Sequence, residues 1–197
     1  MKIAKIVSSN SHIDYVGRVI DTLDAATPPS FEDYGFAQFV QMPLEDETKI
    51  VGVIYDSMLI NPNYSNYGPR LSPKSELTNF SPDYLNEQGF LIGILLLGVI
   101  DKTNKITHGV PRRAVPAGQD VYKIEASEIK NFHTDETDCL RIHYYSQIVA
   151  HAGLFAVPLL EAIIEQLSLD CGDDDKKRLG VLKQTLAWQR TLGGMRL

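Results

Sequence analysis

The sequence predicts an α+β protein: a small Greek-key β-barrel of about six strands followed by a C-terminal α-helical hairpin. Three observations carry this expectation. The first two thirds of the chain are short β-branched runs separated by turns of Ser, Asn, Asp and Pro. Several runs hold an internal glycine, Gly17, Gly52 and Gly93, where the missing Cβ lets a strand bend enough to close a barrel. From Ser127 onward the apolar residues recur at helical spacing instead. The expected units are a barrel domain over 1–126, carrying a long insertion at 61–87, and a helical region over 127–197.

The elements follow in order. IAKIVS (3–8) and IDYVGRVID (13–21) read as two strands joined by a polar turn. After a loop with Pro28 and Pro29, FAQFVQM (36–42) alternates weakly with a period of two. ETKIVGVIYDSML (47–59) is β-branched around Gly52. The 61–87 stretch, rich in Asn, Pro, Ser and Tyr, is longer than an ordinary connection and reads as a binding or covering loop. GFLIGILLLGVID (89–101) is apolar, but its run from Phe90 to Ile100 falls short of the ~20 residues a spanning helix needs. It is expected as a buried strand, and no membrane association is expected. HGVPRRAVPAGQDVYKI (108–124) reads as an extended connector ending in the short strand VYKI. TDCLRIHYYSQIVAHAGLFA (137–156) places Leu140, Tyr144, Ile148 and Ala152 at every fourth position, a helical pattern. Pro158 suits the first turn of a following helix, and CGDDD puts acidic residues at the positive N-terminal end of the last one.

Composition excludes several functions. A net charge of -6 opposes the broad basic face that nucleic-acid binding requires. Cys139 and Cys171 lack a CxxC partner, so neither a disulfide framework nor a zinc ribbon is expected. With an N-terminus that has no apolar signal core, this fits a cytoplasmic protein.

The stretches that resemble catalytic motifs have simpler explanations. SSNSHID (8–14) holds Ser, His and Asp, but a triad is assembled from separate elements, and neighbouring strand residues point to opposite faces. The stretch reads as a turn, and no GxSxG elbow accompanies it. GVIDKT (98–103) lacks the second glycine and GK[ST] ending of a phosphate-cradling loop. Cys139 and His143, four apart on an expected helix and near His133 and His151, are short of a convergent zinc set. No catalytic residue, metal or other cofactor is expected. Arg112 and Arg113 beside Pro111, with Arg70 in GPRLS, remain as candidate anion contacts.

One set of features resembles a known family. Gly17-Arg18-Val19 in an opening strand, Val51 to Ile54 (VGVI) in a later one, the apolar third stretch and the exit His108-Gly-Val-Pro111 are similar to the HAS-barrel. That barrel is shared by HerA-type DNA-translocating ATPases and the N-terminal crown of rotary ATP synthase subunits. The resemblance covers roughly residues 1 to 130, and it implies a role in joining subunits or positioning a motor. A HerA-type chain continues into an ATPase domain where this one has a helical tail, so no catalytic residue is carried over.

The expected function is therefore a non-enzymatic assembly or adaptor protein that forms a homo-oligomer or docks onto a separately encoded ATPase. Leu159, Ile163, Leu182 and Trp188 on the last helices are the interface candidates, should more of their line face outward than the barrel covers. A second reading is a small-ligand or nucleotide-binding barrel with the 61–87 loop as lid and Arg70, Arg112 or Arg113 as anion contacts. A third, an OB-like single-strand nucleic-acid binder, has only Tyr64, Tyr67 and Arg70 in its favour.

Overall fold

The computed structural model describes residues 1–60, 89–135, 137, 139–169 and 171–193, with side chains described as far as Ala187. The 61–87 insertion, with Tyr64, Tyr67 and Arg70, lies outside the described residues. Among the described residues the strands are β1 (Lys2–Ser9), β2 (Asp14–Val19), β3 (Phe39–Pro43), β4 (Lys49–Ile60), β5 (Gly89–Ile100), β6 (Ile106–His108) and β7 (Asp120–Lys123). The helices are α1 (Ala126–His133), α2 (Tyr145–His151), α3 (Ala156–Ser168) and α4 (Asp173–Gly193).

Six strands close into an antiparallel barrel: the order β2-β1-β7-β3-β4-β5 is sealed by a direct β2–β5 pairing, and β6 extends the far end of β5. Hairpin-connected β3, β4 and β5 lie side by side, with β2 next to β5, which is a Greek key. The fold class is thus the expected α+β barrel with C-terminal helices, α3 and α4 packing on each other.

The glycines explain the closure. A Cβ on Gly17 would sit 3.3 Å from Ile92 and 3.4 Å from both Ala4 and Ile94, so its absence lets β1, β2 and β5 coil tightly together. Bulges add to the curvature: Ile3 and Val7 in β1, Tyr55 in β4 and Leu97 in β5 have no directly paired residue where the register shifts. β2 alternates, with Tyr15 and Val19 buried, whereas β4 and β5 carry continuous buried runs, with α2 packed on β5. Gln147 of α2 donates to the Leu96 carbonyl at 2.5 Å and His133 of α1 packs edge-on to Phe39 at 5.1 Å. Barrel interior and helical layer belong to one cluster of buried residues.

Three expectations are corrected. The strand expected from Phe36 begins at Phe39, because Ala37 takes a left-handed conformation with φ of 64°. An additional strand, β6, precedes the expected connector and ends at its first residue, His108, held on Gly98, Val99 and Ile100. The single helix expected over 137–156 is broken. The Asp135 carboxylate accepts the amides of Thr137 and Cys139 and the Thr137 hydroxyl, offering this backbone a loop instead of a helix. Helix α2 covers only Tyr145–His151, and Gly153, at φ of 54°, turns the chain into a short 3₁₀ segment, Gly153–Phe155. Cys139 and His143 consequently do not share a helical face.

No helix among the described residues is long and apolar enough to cross a membrane.

Candidate functional site

The residues proposed from the sequence do not converge. Arg112 and Arg113 are exposed on the connector, and the Arg113 guanidinium pairs with Asp46 in the β3–β4 turn, which holds that carboxyl below its ordinary range. Neither arginine lines the clefts described below. Surface pairs of this kind contribute little, so Arg113→Ala is expected to leave the midpoint of a urea titration essentially unchanged. Leu159 and Ile163, offered as interface residues, are fully buried within the chain as part of the α3 stripe that also includes Leu160 and Leu167. Helices α2 and α4 pack on α3, and these two residues belong to the buried core. Leu182 is half-buried against the same core, and the Trp188 side chain lies outside the described residues.

SSNSHID forms the turn between β1 and β2. The Asn10 amide bonds the Asp14 carbonyl at 2.8 Å and the Ser11 hydroxyl accepts the Ile13 amide at 3.3 Å. His12 Nε2 donates to the Pro111 carbonyl at 2.7 Å, since a carbonyl can only accept. Serine and histidine are committed to different backbone groups, and no triad forms.

What the fold does assemble is an aromatic groove at one end of the barrel, a cleft of about 190 Å³. Its first wall comes from the loop before β3. Asp33 accepts the Ser30 amide at 2.9 Å and its hydroxyl at 2.7 Å, and pairs with Lys123 at 3.0 Å, fixing the 3₁₀ turn Phe31–Asp33. The Ser30 bond and then Lys123 hold the Asp33 carboxyl at about 2. Phe31 and Tyr34 meet at 5.8 Å, and Tyr34 meets Phe90 of β5 at 5.4 Å. The left-handed Ala37 leaves Phe36 at the surface while Phe39 enters the core.

The second wall depends on the β4 bulge. The ladder runs Ile54↔Ile94 and then Asp56↔Gly93, so Tyr55 is the extra residue, and both Tyr55 and Asp56 line the cleft. The Tyr55 ring packs against Gly93, where a Cβ would come within 3.1 Å of it, and the Tyr55 hydroxyl donates to Asp14 at 2.9 Å. Burial, then the Asp14 bond, pushes the Tyr55 phenol up, so it remains a neutral donor. The third wall is Phe155, brought in by the 3₁₀ turn after α2 and packed 6.0 Å from Phe36. None of these residues stands out in the sequence by motif or period. The dense aromatic content of FEDYGF (31–36) is the one signal that points to them.

Two other features lie in the helical region, the second of them where it meets the barrel. A cleft of about 230 Å³ beside α1 and the α3–α4 turn is lined by Lys130, Leu140, Leu167 and the half-buried Cys171. Deeper, His133 Nδ1 donates to the Ile129 carbonyl at 2.7 Å, which leaves Nε2 to accept the Tyr144 hydroxyl at 2.6 Å. His108 Nε2 donates to the Phe132 carbonyl at 2.8 Å. Both imidazoles are neutral: burial lowers His108 to about 4 and His133 to about 3. Every ring nitrogen of His133 is committed to a neighbour, so this node is a structural joint. No cluster of three or more metal-ligating side chains occurs among the described residues.

Fold and groove together define a class: a closed six-stranded Greek-key barrel, capped by helices, that presents aromatic side chains on its surface. Over residues 1–196 the chain matches the family model of a domain of unknown function (DUF8166), and it belongs to that family. No curated protein matches it.

Proposed function

We propose that this protein is a non-enzymatic assembly module that associates with a second copy of itself through the aromatic groove and its apolar rim. One observation carries the reading. Large apolar side chains stand exposed on this face, Phe31 at 78%, Phe36 at 47%, Leu154 at 97% and Phe155 at 43%. Three of them line one cleft, and Leu154 precedes Phe155 in the same 3₁₀ turn. Other large apolar side chains are also exposed, among them Leu23, Leu59 and Leu169, but here three of them are aromatic and gathered around one cleft, the arrangement that marks an interaction site. The closed barrel supports kinship with HAS-barrel modules, which join subunits and position a motor. A separately encoded HerA-type ATPase is the partner that kinship adds to the proposal, and a pull-down from native extract tests for it.

Self-association has a direct test. Light scattering is expected to show a dimer or larger species at micromolar concentration, and Phe36→Asp or Leu154→Asp to shift it to monomer with an unchanged circular dichroism spectrum. A wild-type protein that stays monomeric at high micromolar concentration defeats the reading.

A further inference from the structure

We infer that the aromatic groove is a recognition site for an organic cation, an alkylammonium head held against aromatic faces with Asp56 as counter-charge. The inference rests on the groove being the docking site proposed above and adds the chemistry of what enters it.

Six aromatic rings, Phe31, Tyr34, Phe36, Tyr55, Phe90 and Phe155, surround a space of about 190 Å³. Neighbouring rings are inclined at 55° to 59°, so they wall a cup instead of stacking into a plate. The faces of such rings carry negative potential, and a cation within about 6 Å of a ring centroid is attracted to it. A purely apolar occupant would need none of the charge the lining also supplies. Asp56 is half-buried in the cleft, where its Oδ1 accepts the Ser57 amide at 2.8 Å. Among the described lining residues there is no lysine or arginine to neutralise it. Behind Tyr55 a second carboxylate, Asp14, accepts the hydrogen bond of the phenol at 2.9 Å and adds negative charge at the hydroxyl end of the ring. The net charge of -6 works in the same direction over longer range.

The local backbone is shaped around this constellation. The bulge in β4 places consecutive residues Tyr55 and Asp56 on one cleft, which a regular strand would have sent to opposite faces. Gly93 makes room for the Tyr55 ring, and a side chain there would press on both Tyr55 and Asp56, each 3.1 Å away. Ring and carboxylate are thus held side by side by the same two backbone features.

An ammonium head can come from a lysine side chain of the docked protein or from a free quaternary ammonium compound. The test titrates the full chain with choline, Nα-acetyl-lysine methylamide and 3,3-dimethylbutan-1-ol, the neutral isostere of choline, following ligand proton shifts by NMR. At least one cation is expected to bind about tenfold or more tightly than the isostere, with ring-current upfield shifts. Tighter binding of the lysine derivative assigns a protein side chain as the natural occupant; tighter binding of choline assigns a free quaternary ammonium ion. Asp56→Asn keeps the bond to the Ser57 amide, and Phe155→Leu keeps apolar bulk. Each is expected to weaken cation binding severalfold while leaving the isostere unaffected. Equal affinity for isostere and cations, or cation affinity unmoved by both variants, overturns the inference. If the cations fail while Phe36→Asp still abolishes association, the cation site falls and the assembly reading stands. If a strictly monomeric protein binds the cations, the assembly reading falls and the cation site stands.

Discussion

Gly98→Val is expected to prevent stable folding. A Cβ at this position of β5 would lie inside van der Waals contact of the Thr107 carbonyl oxygen, and 3.1 Å from both the His108 Cα and the Phe132 ring. Two of these neighbours are backbone of β6, which pairs here as Gly98↔His108, and the third is the α1 side chain that docks the helices. Neither backbone nor buried ring can retreat as a flexible surface side chain would. Overpacking of a dense interior commonly costs about 1–3 kcal/mol and more where backbone must move, against a total stability of about 5–15 kcal/mol. Loss of β6 would also expose the joint it covers, since the His108 ring packs 4.5 Å from Phe132. Gly180→Ala in α4 is the matched control. No atom outside its own helix approaches within 4 Å, and alanine there should stabilise by about 1 kcal/mol. Urea titrations of the two variants read the contrast, and a Gly98→Val protein with a wild-type midpoint would refute the account of the joint.

Acidification is the second large effect. His133 and His108 are neutral in the fold, held at about 3 and about 4 by burial, against 6.5 for the free side chain. Between those values the unfolded chain binds more protons than the folded one, so stability rises with pH. The contribution is fully present above about pH 6.5 and is lost as pH falls towards 4 and below. For His133 alone the loss at pH 4 is about 3 kcal/mol, because the site offers an imidazolium no acceptor beyond the Ile129 carbonyl and a competing tyrosine proton. Asp33, held at about 2 by Ser30 and Lys123, acts in a lower window, losing its contribution only as pH falls below the ordinary 3.8. The midpoint of urea unfolding should therefore drop steeply between pH 6.5 and 4, before the carboxylates titrate. A flat profile over that range would mean the histidines are not buried neutral.

Much of the barrel was legible because its cause is local. Gly17, Gly52 and Gly93 announced bent strands, and each is a site of close approach: a Cβ on Gly52 would meet Ile94 at 2.8 Å. The apolar run Phe90–Ile100 was readable as a strand because it is too short for a membrane and too continuous for a surface. Pro158 and the acidic Asp173 to Asp175 marked helix starts correctly, since both act within one turn of chain.

Where structure and pattern part, a distant or irregular contact has overridden the pattern. The four-residue spacing of Leu140, Tyr144, Ile148 and Ala152 promised one helix, yet the Asp135 carboxylate captured the amides at its start. Ile148 and Ala152 still bury, on a shorter helix. Leu159 and Ile163 looked like an interface only because an apolar stripe does not say which surface covers it.

The bent strands, the helical ends and the change from β to α follow from the chain's own letters, because glycine, proline and apolar period act on their own neighbourhood. The groove exists only once the barrel has closed. Phe36, Tyr55, Phe90 and Phe155 come from four separate segments, and a left-handed alanine, a one-residue bulge and a 3₁₀ turn bring them to one cleft. None of those three devices has a periodic signature, because each is a local departure that gains its effect only when the barrel has closed around it.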